Sequence, residues 1–235
     1  MKNKKLIFVS GFALFSMFFG AGNLIFPPFL GNKVGDQYLI ATLGFLLSAV
    51  GLVFLGLLAA TKSGGTIEKI GNTISPRFSL IFSTIIMLAI GPGLAIPRTA
   101  ATTVEIIQKG FFKGANSVLL TVIFFICVYL FVRKPSSIID NLGKILTPLL
   151  IATLVVIIFK GIISPVATPA NTYQIQVFQS SFEEGYQTMD ALASLVFAIV
   201  VTKGFMENGI TDDKTIKEYT IKSSIIAAIG LCFVY

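Results

Sequence analysis

Apolar residues come along this chain in blocks of membrane-spanning length, separated by short polar stretches that hold most of the charge. The blocks are Leu6–Phe29, Tyr38–Thr61, Phe78–Glu105, Ala115–Val132, Ile145–Ile163 and Gly185–Thr202, with a seventh from Ser223 onward. A helix of about 20 mainly apolar residues crosses a bilayer. The pattern therefore predicts an all-α integral membrane protein, a single domain over residues 1–235. Its helices are expected over about residues 6–29, 38–61, 78–105, 115–132, 145–163, 185–202 and 220–235. The last block has neither a cap nor a basic flank, so the expectation is a chain cut within its seventh helix. The first block follows Lys2, Lys4 and Lys5, as a signal peptide would. Its apolar character runs on to Phe29 and further spans follow, so it is expected to be retained.

Two blocks interrupt their own pattern. The first carries Gly20, Gly22 and Asn23 at its middle and Pro27-Pro28 shortly after. Glycine costs a helix about 1 kcal/mol relative to alanine, and proline is at home only in a first turn. The expected result is two half-helices joined by a non-helical link at Gly20–Asn23, the second half ending before Gly31 with its prolines near its start. Irregular backbone at membrane depth persists only where protein covers it or where it lines a wet cavity, so a midplane cavity is expected. The third block carries Gly91-Pro92-Gly93 and then Pro97-Arg98, a second irregular region. The fourth and fifth blocks read as plain. The second is rich in small residues, such as Gly44, Ser48, Gly51 and Gly56, which let helices approach closely and make it packing scaffold.

Composition strengthens the membrane reading. The chain is 54% hydrophobic and only 12% charged, about half the charge of a soluble domain. Its net charge of +7 is spread between the blocks, which points to topology and away from nucleic acid. With an inside N-terminus, the inner segments hold thirteen lysines and arginines and the outer ones four; that places the N-terminus in the cytoplasm. There is no histidine, so histidine bases, relays and zinc ligands are excluded. Cys127 and Cys232 lie within apolar blocks and read as small buried hydrophobes with no disulfide.

Charges inside spans are expensive and point to function. Asp190 reads as lying about one and a half turns into the sixth helix, where it wants a cation, a proton or a fixed donor. The bland alternative leaves it in the outer headgroup layer. Arg98 has the same two readings, a site residue or a chain snorkelling to the outer headgroups, and Glu105 reads as interfacial. Thr66–Ile70 suggests a short interfacial helix, and Ser164–Glu184 a strap across the outer face.

The interrupted first span and the charged sixth are five spans apart. An odd repeat must enter the membrane from opposite sides, which is the plan of an inverted-repeat transporter with its site between the first helices of the two halves. Half-helix N-termini offer amides to an anion, and freed carbonyls suit Na⁺ or an ammonium group. A zwitterionic amino acid needs both. A channel, an intramembrane enzyme and an assembly protein are the rival readings. A channel would show neither saturation nor competition. An aspartyl protease needs two facing aspartates, and an assembly protein needs no broken spans.

Three stretches carry a family resemblance: Phe18-Phe19-Gly20-Ala21-Gly22-Asn23-Leu24-Ile25-Phe26-Pro27-Pro28, Gly91-Pro92-Gly93-Leu94-Ala95-Ile96-Pro97-Arg98-Thr99-Ala100, and Gly185-Tyr186-Gln187-Thr188-Met189-Asp190-Ala191-Leu192-Ala193. In these the chain resembles the bacterial branched-chain amino acid transport system II carriers, the branched-chain amino acid:cation symporters of the LeuT-type superfamily. The resemblance implies uptake of leucine, isoleucine and valine across the cytoplasmic membrane with Na⁺ or H⁺, no enzymatic activity, no cofactor beyond the coupling ion and no obligate protein partner. It implies a LeuT-type inverted-repeat bundle, here the first five-helix repeat plus helix 6 and part of helix 7, with helices 1 and 6 interrupted.

By the same resemblance, Gly20, Ala21 and Gly22 offer amides to the substrate carboxylate, and Asn23 contacts ion or substrate. The carbonyls of Ser16 and Phe19 join Asn23 as a possible Na⁺ site, while Asp190, Ala191, Ala193 and Ser194 flank the ammonium and side chain. The eighth helix, which completes the Na⁺ site in that fold, lies beyond Tyr235, so this chain alone is expected not to transport. The pocket wall should come from Leu, Ile and Phe of spans one, three and six. One methylene is worth about 1–3 kcal/mol, so the three substrates should share the site.

Overall fold

The computed structural model describes residues 2–133, 147–164 and 176–235, and these are helical with short links. Among the described residues, three helical stretches are long and apolar enough to cross a membrane: Gly22–Lys62, Pro76–Gly110 and Val177–Glu207.

The first span is two helices, α1 (Lys2–Phe18) and α2 (Ala21–Val34). The break is narrower than expected. Only Phe19 and Gly20 are non-helical, with Gly20 extended at φ −102°, ψ −170°, and Ala21, Gly22 and Asn23 already form the first turn of α2. Pro27 and Pro28 lie in the middle of that helix, not near its start, and the helix runs through Gly31 to Val34. A membrane helix tolerates such prolines because neighbouring helices and local adjustments satisfy the freed groups.

Helix α3 (Tyr38–Leu46) passes through a π-helical stretch, Leu47–Leu52, into α4 (Val53–Lys62). Short α5 (Ile67–Asn72) is capped by Thr66, whose hydroxyl accepts from the Lys69 amide at 3.2 Å. The third span is α6 (Pro76–Leu88) and α7 (Ala95–Gly110), joined through a kink at Gly91. Glu105 and Lys109 pair on its exposed last turns at 2.5 Å, as an interfacial site would have it. Then come α8 (Ser117–Val132) and α9 (Thr147–Ile163).

The sixth span begins earlier than its apolar block. Helix α10 (Val177–Tyr186) ends at Gln187–Met189, and α11 (Asp190–Glu207) follows. Part of the segment read as an outer strap is therefore the first half of an interrupted helix; Tyr173 and Ile175 lie outside the described residues. Asp190 opens the second half-helix and is not one and a half turns into a continuous one. Met189 turns the chain at φ +66°, a left-handed conformation that costs a non-glycine residue about 1–2 kcal/mol.

Helix α12 (Asp213–Val234) is one unit from its polar start. The exposed Asp212 caps it, accepting from the Thr215 amide at 2.9 Å, and that bond and the Thr215 hydroxyl hold its carboxyl below the usual range. A carboxyl held low in the folded chain adds stability above its unfolded value and loses it as pH falls through the lowered one. Exchange of the Thr215 amide is thus expected to accelerate beyond its intrinsic trend as the pH drops through that range. The Asp212→Ala variant should show fast exchange throughout.

Two buried clusters organise the bundle. One joins α1, α4, α11 and α12 through Leu14, Phe18, Leu57, Ala198, Phe205 and Leu231. The other joins α2, α3 and α10 through Leu30, Val34, Ala41, Phe45 and Val177. So α1 packs against α11 and α2 against α10, the pairing of two interrupted helices that run in opposite directions. Both breaks fall between the clusters.

The second span is the scaffold that holds the sixth. A Cβ on Gly44 would stand 2.5 Å from the Phe178 carbonyl oxygen, and one on Gly185 2.7 Å from that of Phe45. One on Gly56 would collide with the Ser194 hydroxyl. Cys127 and Cys232 are free but exposed, on the outer sides of α8 and α12, which corrects their reading as buried. An all-apolar block carries no mark of which side meets protein.

Candidate functional site

The two breaks meet at a cleft of about 310 Å³. Each break arises because glycine or a left-handed turn ends one half-helix just before the next begins. The first three amides of a helix have no partner inside it, and at the start of α2 no side chain caps them. Ala21, Gly22 and Asn23 thus present donors, and the half-helix dipole adds positive potential there.

Asn23 and Asp190 join the two breaks. Asn23 is 3% exposed and Asp190 7%. The Asn23 Nδ2 donates to the Phe18 carbonyl oxygen and, at 2.8 Å, to Asp190 Oδ2. Both partners are acceptors, which settles which end of the amide is nitrogen. Among the described residues Asn23 Oδ1 is then a buried acceptor with no donor, and Asn23 lines the cleft. An acceptor left so is costly, and it asks for an ammonium group or a cation. Thr188 supports the turn: its hydroxyl donates to the Gly185 carbonyl at 2.8 Å and accepts from the Asp190 amide at 3.4 Å.

Most of the rest of the wall is apolar, with Arg98 and Thr99 as its polar members. Phe18, Ile90, Ile96 and Phe197 come from spans one, three and six, and Phe124 and Val128 from α8. No leucine is among the described lining residues. The fourth span, read as plain, is thus part of the wall. Its apolar residues surround the whole helix, so periodicity carried no signal of a lining face.

Of the residues expected at the site, Gly20, Gly22, Asn23, Asp190 and Ala193 line the cleft. Ala191 packs against the core of the first cluster. Ser194 is fully buried against Gly56, its hydroxyl donating to the Ala191 carbonyl at 2.7 Å. Ser16 and Phe19 are outside the lining. The Ser16 hydroxyl donates to the Ala13 carbonyl at 2.9 Å, and the Phe19 ring stacks between Phe15 and Tyr235. It is the Phe18 carbonyl that meets Asn23. No cluster of three or more metal-ligating side chains exists among the described residues.

Arg98 belongs to the cleft as well. It donates through Nη1 to the Gln187 carbonyl and through Nη2, at 3.1 Å, to that of Thr188. An intramembrane charge was the signal in the sequence; its partners, 89 and 90 residues away, were not.

A family profile described as "Branched-chain amino acid transport protein" matches residues 2–235. The chain belongs to this family of branched-chain amino acid transport proteins. Among its relatives, the branched-chain amino acid permease BraB of Bacillus subtilis is 39% identical over 234 residues, covering 97% of this chain and 53% of BraB. A protein of Staphylococcus saprophyticus named as a branched-chain amino acid carrier is 40% identical over 245 residues, covering 98% of this chain and 54% of its own length. The chain spans about half the length of the curated relatives it matches. No solved structure matches it.

Proposed function

We propose that this chain forms one wall of the binding site of a secondary transporter that imports leucine, isoleucine and valine together with Na⁺ or H⁺. The observation that carries this is the Asn23 Oδ1, unpartnered among the described residues, in a residue that bonds Asp190 and lines the cleft together with the uncapped start of α2. A zwitterion matches both features. Its carboxylate takes the amides of Ala21, Gly22 and Asn23 next to Gly20, and its ammonium faces Asp190 and Asn23 Oδ1. Its branched side chain enters the apolar wall, with Ala193 leaving room, at about 0.8 kcal/mol per buried CH₂. Ala191 and Ser194 hold α11 in place behind it. The coupling cation sits near the end of α1, where the carbonyls of Ser16 and Phe19 with Asn23 are the ligands a LeuT-type arrangement implies.

The opposed pairing of the two broken helices supports a LeuT-type inverted repeat, with alternating access about this site. The lysine and arginine distribution supports residence in the bacterial cytoplasmic membrane with the N-terminus inside.

The test is uptake of radiolabelled leucine by the full-length gene product in liposomes, with Na⁺ and pH gradients imposed separately. Uptake is expected to saturate, to respond to one of the two gradients, and to be competed by valine and isoleucine. Unsaturable flux would replace the carrier with a channel, and failure of valine to compete would remove the shared apolar pocket.

A further inference from the structure

The half-helix α10 ends at the cleft, where the amides of Gln187, Thr188 and Met189 close onto the carbonyls of Glu183, Gly185 and Tyr186 and the carbonyls of Gln187 and Thr188 follow beyond its end. That end carries partial negative charge. The Arg98 guanidinium lies on it, donating to the carbonyls of Gln187 and Thr188. The same group stands over the Phe26 ring of α2, 5.9 Å from its centroid. It also fills the space beside Gly22, where a Cβ would come within 3.3 Å of Nη2. One side chain of the third span therefore ties together the outer halves of both broken helices.

We propose that Arg98 is a positioning residue for substrate binding: by holding the Gln187–Met189 turn against α2, it sets Asp190 where its carboxylate meets Asn23. The turn needs such a tie, because Met189 is left-handed without being glycine. The guanidinium suits it because a planar fork reaches two carbonyls at once, which a lysine ammonium cannot do in the same geometry. With the tie cut, the turn relaxes and the Asp190–Asn23 pair spreads over more positions, so binding weakens before turnover does.

The inference rests on the carrier reading above, and one set of measurements separates the two. Leucine uptake by the full-length native protein comes first; if it is absent, the carrier reading fails. Given native uptake, Arg98→Gln is expected to raise KM at least about tenfold, since hydrogen bonds from a charged donor are roughly twice as strong as neutral ones. The maximal rate per molecule should change far less. Arg98→Lys should recover part of the loss. An unchanged KM in Arg98→Gln, or a KM in Arg98→Lys as high as in Arg98→Gln, overturns the proposal. Phe26→Leu keeps the guanidinium but removes the ring beneath it, and should raise KM about two- to fivefold. If Arg98→Gln does not fold, an unchanged KM in Phe26→Leu overturns the proposal instead.

Discussion

Asp190→Asn is expected to cut leucine uptake by at least about thirtyfold while the protein still folds and inserts. The substitution keeps the shape of the side chain, and its oxygen can still accept from Asn23 Nδ2, now 2.8 Å away. What disappears is the carboxylate's capacity to carry negative charge inside a cleft where Asp190 is 7% exposed. Removing one partner of a buried charge pair costs about 2–5 kcal/mol, and each 1.4 kcal/mol is tenfold in affinity. The loss should appear in the affinity for leucine, measured by equilibrium binding to purified protein as well as by uptake. Uptake within twofold of the native rate, at matched protein amounts, would remove Asp190 from the site. Asp190→Glu should fall between the two, because it restores the charge but pushes it one methylene further into the cleft.

The second large effect concerns the seam between the second and sixth spans. Gly44→Ala is expected to destabilise the folded protein by about 1–3 kcal/mol, the range for forcing extra volume into a packed interior. It should do so irreparably, because the new Cβ meets the backbone oxygen of Phe178 at 2.5 Å. Trimming the neighbouring Ser181 to glycine should not rescue it. Gly56→Ala should be comparably harmful but repairable. There the obstacle is the Ser194 hydroxyl, and once that is removed the nearest atom is the Ser194 Cβ at 3.2 Å. The pair Gly56→Ala with Ser194→Ala should regain most of the loss. Gly31→Ala is the control: no atom of the described residues lies within 4 Å of the added carbon. The thermal midpoint of detergent-solubilised protein reads all of these. Rescue of Gly44→Ala by Ser181→Gly would mean that the α3–α10 contact is looser than the packing indicates.

Several features were legible before any coordinates. The break at Gly20 followed from glycine and asparagine in an apolar span, and the fixed donor that Asp190 finds in Asn23 from the cost of a charge at that depth. The scaffold role of the second span followed from its small residues. Other features were misread for reasons that are physical. Pro27 and Pro28 suggested a helix start, yet the helix simply continues through them. The apolar block beginning at Gly185 hid the first half of the sixth helix, because Val177–Tyr186 is amphipathic and mixes Gln179, Ser180, Glu183 and Glu184 into a packed helix. Ser194 stands near Asp190 in sequence but turns to Gly56, a contact set by how α4 packs against α11 and not by local spacing.

The sequence alone determined what depends on composition and local chemistry. Apolar blocks of spanning length make helices in lipid, glycine breaks them, and a buried carboxylate demands a partner. The tertiary structure decided which partner and which face. The Asn23 amide finds Asp190 across 167 positions of chain, and Arg98 finds the end of α10. The plain fourth span turns Phe124 and Val128 toward the cleft. Such choices rest on close approach between distant helices, set by the small residues at their crossings, and apolar side chains that can meet either lipid or protein do not encode them locally.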